Sequence, residues 1–186
     1  MHIDPFEMER WQSTWEHHVE VNLSDSGVHP VTLREFLTDD ELDQVLNQRL
    51  IYTQTNGTPE LRRAIAALHP GADESNVQVT SGGAEANFVA AWTVLEPGDE
   101  VVAMVPNYQQ VHGLAAAFAG TVRPWPLEHD RATGRWSVDL DMLGDLVNAR
   151  TKLIAICNPN NPTGMRFDAN MLDAIAEIAD RHGTWV

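Results

Sequence analysis

Cysteine and lysine each occur once in this 186-residue chain, as Cys157 and Lys152. A single cysteine excludes an internal disulfide and any metal cluster built from several thiolates. Long hydrophobic runs are missing too. The longest apolar-leaning stretch, Leu114 to Ala119, falls far short of the ~20 residues a helix needs to cross a bilayer, so no membrane partner is expected. Met1-His2-Ile3-Asp4-Pro5 shows no basic patch followed by an apolar run, so no signal peptide is expected and a cytoplasmic setting is the simplest expectation. Positive charge is scarce: 12 Lys and Arg face 27 Asp and Glu, a formal net charge of -15. Such a chain repels a phosphate backbone, which argues against nucleic acid as a partner. The acids are scattered rather than gathered in one run, so no cationic partner is implied. The eight histidines show no ligand spacing; His17 and His18 are adjacent and would diverge on a helix.

What is present suits a globular protein: 43% hydrophobic and 21% charged residues, in a length that can bury one good core. The first thirty residues carry an odd composition, with Trp11, Trp15, His17 and His18 in a polar setting. They read as an arm or short helix and then an extended segment. Thr38-Asp39-Asp40-Glu41 has the spacing of a capping box and opens a helix. Asn56-Gly57 signals a turn, and Thr58-Pro59-Glu60 opens a second helix whose apolar face is Leu61, Ala64, Ile65 and Leu68.

From Val77 onward strands and helices alternate. Strands are expected at 77–80, 101–105, 121–125 and 153–157, and helices at 84–95, 109–118, 139–147 and 168–182. Gly183 stops the last helix, and Thr184-Trp185-Val186 opens another strand. This alternation predicts an α/β fold, a mostly parallel sheet with helices on both faces. Ligands of such sheets bind where strands lead into helices, and three loops there have chemistry to offer.

In Thr80-Ser81-Gly82-Gly83-Ala84-Glu85-Ala86 two glycines permit a tight turn and a close backbone approach. The free amides of the following helix would then face an anion such as phosphate. The loop has neither a Walker nor a dinucleotide spacing. In Val105-Pro106-Asn107-Tyr108 a tyrosine at a strand end can lie over a flat heteroaromatic ligand. In Asn158-Pro159-Asn160-Asn161-Pro162-Thr163-Gly164 two prolines and a glycine fix the backbone, so an asparagine amide between them is rigidly aimed and can donate to a ring oxygen. A packing tyrosine or a plain surface turn would also accept parts of these motifs.

Together with Tyr52 and Gly57-Thr58-Pro59-Glu60-Leu61-Arg62, these loops resemble the fold-type I pyridoxal-phosphate enzymes, in particular the class I/II aminotransferases. The resemblance runs from about Leu50 to the last residue. It implies a truncated large domain of the aspartate-aminotransferase-like fold, with 1–47 as N-terminal arm and part of the small domain and 48–186 as the front portion of the cofactor-binding large domain. It implies pyridoxal 5'-phosphate as cofactor and, as partners, amino acid and 2-oxo acid substrates and a second copy of the chain in a homodimer with shared active sites. By resemblance the backbone at Gly83 and Ala84 holds the cofactor phosphate, Tyr108 stacks on its ring and Asn161 donates to the phenolic oxygen. Tyr52 would reach the phosphate of the neighbouring subunit. Gly27 and Val28, in the segment Ser24 to Pro30, would lie on the substrate side. That segment also resembles the capreomycidine-synthase-like branch, which uses the same cofactor for a cyclisation.

The family's Schiff-base lysine, the aspartate that pairs with the pyridine nitrogen and the arginine that grips the substrate carboxylate are all expected beyond residue 186. No catalytic residue is therefore expected in this chain, which is expected to be inactive alone. Lys152 starts the strand before the asparagine loop, at the end away from the pocket, and Cys157 reads as a core residue. Three functions stay open: transamination, lyase or cyclase chemistry on the same cofactor, and a non-catalytic binding or dimerisation module.

Overall fold

The computed structural model describes residues 3–24 and 27–186, and the chain divides into two compact units. One comprises Glu7–Thr80; the other comprises Met1–Phe6 and Ser81–Val186.

Glu7–Thr80 contains α1 (Glu7–Trp15), α2 (Leu33–Phe36), α3 (Asp39–Leu46), α4 (Pro59–Ala66) and a 3-10 turn at Glu74–Asn76. Hydrogen bonds at the helix starts define this unit. Thr38 accepts from Glu41 N–H while the Glu41 carboxylate takes the Thr38 N–H at 2.8 Å, the capping box legible in the sequence. Thr32 and Glu35 repeat it at α2. These bonds hold the Glu35 and Glu41 carboxyls below their ordinary range, the backbone bond from the threonine first. Thr58 caps α4, with Pro59 in its first turn as expected. Burial is sparse: Ala66 is buried, whereas Leu61 and Leu68 of the expected apolar face are exposed.

One expected strand fails in this unit. The segment 77–80 joins no sheet; Val79 N–H donates to the Asn56 carbonyl at 3.1 Å and Val77 N–H turns back to the Glu74 carbonyl at 3.4 Å. Gln78 turns its side-chain amide onto the Val79 carbonyl at 2.9 Å, a local alternative to a ladder.

Ser81–Val186 contains α5 (Gly83–Val94), β1 (Glu100–Val105), α6 (Gln110–Phe118), β2 (Thr121–Pro126), β3 (Glu128–Asp130), β4 (Arg135–Ser137), α7 (Leu140–Leu146), β5 (Thr151–Ala155) and α8 (Ala169–His182). The sheet order is β2-β1-β5, parallel throughout, and Trp185 extends it by a parallel bridge to Leu153. Strand alternation sorts β1 onto two faces. Val101 and Ala103 pack with Ala91, Leu95, Leu114 and Ala115 of the α5–α6 side. Val102 and Met104 pack with Trp125, Leu143, Ile154 and Ile175 on the α7–α8 side. Helices therefore cover both faces, as the alternation predicted. Trp125 is fully buried, lies parallel to Phe167 with centroids 6.1 Å apart, and donates Nε1–H to the Asp139 carbonyl at 2.8 Å.

β3 and β4 form a short antiparallel hairpin closed by Asp130, whose carboxylate takes the Thr133 hydroxyl at 2.7 Å and the Ala132 N–H at 2.8 Å. Three residues per strand are too few to register as alternation in the sequence.

At the amino end of β1, Glu100 is buried. It accepts from Arg123 at 2.6 Å and Asn148 at 2.8 Å, and pairs with Arg150. The Arg123 bond, then the Asn148 bond, hold its carboxyl below the ordinary 4.5 against the opposing effect of desolvation.

Candidate functional site

The carboxyl ends of β1 and β5 and the amino end of α5 belong to the same unit, and side-chain amides connect the loops found there. Two of the three loops are strand ends. The third, at Ser81, precedes α5 without a strand before it, because 77–80 is not in the sheet.

Gly82 caps α5 with φ +90°, a conformation an L side chain rarely adopts. A Cβ placed on Gly82 or Gly83 would meet nothing within 4 Å, so a ligand can approach this backbone closely. The N–H groups of Gly83 and Ala84 belong to the first helical turn, where no intrahelical acceptor exists. They offer an anion two donors and the positive end of a twelve-residue helix. The Glu85 carboxylate takes the Ser81 N–H and closes the loop on itself. Gln110 at the start of α6 donates to the Ala84 carbonyl at 2.7 Å and accepts from Asn87 at 3.0 Å, tying α5 to α6.

Tyr108 is half-buried in the loop between β1 and α6. Its N–H donates to the Asn107 side chain at 2.7 Å. Phe6 meets its ring edge-on, with centroids 5.7 Å apart and an interplanar angle of 62°. The ring is thus packed on one partner while its residue stays partly open to solvent. One turn along, His112 keeps Nδ1 buried with no hydrogen-bond partner among the described residues.

In the loop after β5 the two adjacent asparagines part company. Asn160 is buried at 4% exposure, whereas Asn161 is exposed. The Asn160 amide donates to the Pro106 carbonyl at 3.2 Å, and its oxygen accepts from the Thr163 hydroxyl at 2.6 Å. The Asn161 side chain makes no hydrogen bond among the described residues, while its N–H meets Cys157 Sγ at 3.4 Å. Asn158 accepts from Phe167 N–H at 3.0 Å and anchors the loop's far end. Cys157 is half-buried against the core on the α7–α8 side and donates to the Pro159 carbonyl at 3.3 Å. Lys152 lies at the amino end of β5, opposite the loop.

Of the residues expected to form a site, Gly83 and Ala84 open α5, and Tyr108 and Asn161 lie in the loops after β1 and β5. Tyr52, Gly27 and Val28 belong to the other compact unit, where Tyr52 and Val28 are exposed. Asp25 and Ser26, in the expected substrate-side segment, lie outside the described residues. Phe6, Gln110 and Asn160 had no sequence signal. Phe6 is about a hundred residues from Tyr108, and the spacing of Asn160 and Asn161 does not reveal which amide turns inward.

Comparison with known proteins agrees over most of the chain. The family described as aminotransferase class I and II matches residues 29–186. Capreomycidine synthase from Streptomyces vinaceus is 34% identical over 181 residues, which are 91% of this chain and 45% of that protein. A PLP-dependent aminotransferase from Streptococcus suis superimposes with a TM-score of 0.90 at 27% identity, covering 99% of this chain and 50% of the other. A PLP-dependent cyclase, OrfR, superimposes with a TM-score of 0.80 at 29% identity, over 100% of this chain and 49% of the other. The chain thus spans about half the length of these relatives. Among the described residues no helix is long and apolar enough to cross a membrane.

Proposed function

Since the chain belongs to the aminotransferase class I and II family, a pyridoxal-phosphate family, we propose that it supplies the front half of an aminotransferase and much of its cofactor pocket. One observation carries this reading: an open helix start, a half-buried tyrosine and an unengaged asparagine amide lie in loops of one compact unit. The open α5 backbone suits a phosphate, and the ring and amide suit the face and edge of a flat heteroaromatic, so the residues fit pyridoxal phosphate.

In this reading the cofactor, when bound, supplies the electron sink that lets a substrate amino group be moved. The chain's own residues bind and orient. The Gly83 and Ala84 amides hold the phosphate, Tyr108 covers one ring face, and Asn161 donates to the ring oxygen. Tyr108 and its edge contact Phe6 exclude water from that face. No proton transfer is assigned to this chain: its one lysine is at the amino end of β5, away from these loops. The covalent work falls to a lysine outside these residues, and the chain alone is inactive.

The whole protein would transfer an amino group between an amino acid and a 2-oxo acid, in the cytoplasm, as a homodimer. The exposed Tyr52 is free to reach a partner subunit's phosphate, and Gly27 and Val28 would face substrate. The proposed boundary between small-domain residues 1–47 and large-domain residues 48–186 rests on the family resemblance. A second reading, cyclase chemistry on the same cofactor, is favoured by the likeness to the PLP-dependent cyclase OrfR, which extends over 100% of the chain. An amino-donor screen on the protein from the complete reading frame separates the two. Release of a 2-oxo acid in step with amination of an acceptor supports transamination, and a ring-closed product without an oxo acid supports the cyclase. For the chain alone, borohydride treatment with pyridoxal phosphate should leave Lys152 unmodified; a stable adduct there overturns the proposed division of labour.

A further inference from the structure

One buried side-chain amide hydrogen-bonds across two loops that are far apart in sequence. Among the described residues Asn160 is the single buried asparagine. Its donor side reaches across 54 residues to the Pro106 carbonyl, at 3.2 Å, in the loop that carries Tyr108 two residues on. Its acceptor side takes both the Thr163 N–H at 3.2 Å and the Thr163 hydroxyl at 2.6 Å, folding its own loop. Its backbone is bound as well, with N–H to the Met165 carbonyl and C=O from the Gly164 N–H, each at 2.8 Å. Asn161 follows directly in sequence, so wherever Asn160 is pinned the Asn161 amide is aimed. A buried amide with both ends satisfied is costly to replace, because the partners left behind lose their bonds out of water.

We propose that Asn160 is a positioning residue of the candidate cofactor site: its bond to the Pro106 carbonyl fixes the asparagine loop against the loop bearing Tyr108. The inference rests on the cofactor reading given above. It assigns Asn160 no contact with the ligand; it acts through Tyr108 and Asn161, on the ring side of the site. The phosphate side, at Gly83 and Ala84, is tied instead through Gln110 and has no bond to Asn160.

That separation gives a test on the full chain, with pyridoxal 5'-phosphate and inorganic phosphate as probes. Asn160→Asp keeps the acceptor for Thr163 and removes the donor to Pro106; Asn160→Ser removes both without adding charge and serves if the aspartate variant does not fold. Thr163→Val disturbs the same loop but spares the bond to Pro106. Binding is followed by tryptophan fluorescence, and folding by circular dichroism and melting temperature. The Asn160 variants should weaken pyridoxal phosphate about tenfold, the scale of one buried hydrogen bond, and leave phosphate affinity unchanged. Thr163→Val should weaken pyridoxal phosphate less. If the variants bind pyridoxal phosphate as the unmodified chain does, or lose both probes in parallel with melting temperature, or if Thr163→Val has the larger effect, the inference is overturned. An unmodified chain that binds no pyridoxal phosphate overturns the cofactor reading itself.

Discussion

The two compact units of this chain are built on different physical terms. In Ser81–Val186 a three-stranded parallel sheet has helices on both faces, and nearly every buried hydrophobic residue of the chain sits there. Among the described residues of Glu7–Thr80 the buried hydrophobic set is Ala66 alone, while Trp11, Leu23, Phe36, Leu46 and Leu50 are exposed. What that unit has is capping: Thr32, Thr38, Thr58 and Asp73 each start a helical segment with a side-chain bond. Local hydrogen bonds are enough to say where helices begin. They contribute little stability, since short helices depend on packing for most of theirs. One unit is ordered around shared cores, and the other by local bonds.

The largest perturbation should be Trp125→Ala, which removes a buried ring, its parallel contact with Phe167 and its bond to the Asp139 carbonyl. A loss of about 3–5 kcal/mol in chemical denaturation is expected. A cost like that of a surface change would break the comparison at its stronger end.

Glu100→Gln comes next. It leaves Arg123 and Arg150 beside a neutral amide at a buried position, and the melting temperature should fall by several degrees. The same carboxylate predicts a pH dependence. Its pKa is lowered in the folded chain, so the stability it contributes is present above the ordinary 4.5 and is lost as pH falls through the folded value. Melting curves of the parent chain should therefore show an acid loss that Glu100→Gln largely lacks; identical pH profiles would sink this assignment.

Within the other unit Gly57 has the most exacting position, with φ +97° and an added Cβ only 2.3 Å from Val79 Cγ2. Gly57→Ala should cost about 1–2 kcal/mol from the left-handed backbone alone, with the collision added. The smallest effect belongs to Thr38→Ala, about 1 kcal/mol. It should be confined to faster amide exchange in α3; a loss spread over the sheet would show that the two units are not built so differently.

How much was legible follows the same division. The strands of the core could be read because apolar runs alternated with helical periods, and β1, β2, α6, α7 and α8 lie within a residue or two of the expected bounds. β5 ends at Ala155, two residues before the expected bound, ahead of the asparagine loop. The expected strand at 77–80 failed because a four-residue pattern cannot tell a sheet partner from a single bond to Asn56. The expected face of α4 failed because periodicity reports which residues could be buried, not whether anything covers them. At the site, turn chemistry revealed the Gly82-Gly83 and Asn158–Gly164 loops. The residues that connect loops, Gln110 and Asn160, were silent, since a partner 26 or 54 residues away leaves no local pattern.

In the function proposed above, the three loops of Ser81–Val186 form one pocket for pyridoxal phosphate. Its most direct test is a titration of the chain with pyridoxal 5'-phosphate, read by residue-resolved amide NMR. Saturable shifts are expected at the Gly83 and Ala84 backbone amides, at Tyr108 and at the Asn161 side-chain amide, all with one dissociation constant. Shifts that spare these residues, or no saturable binding at all, would contradict it.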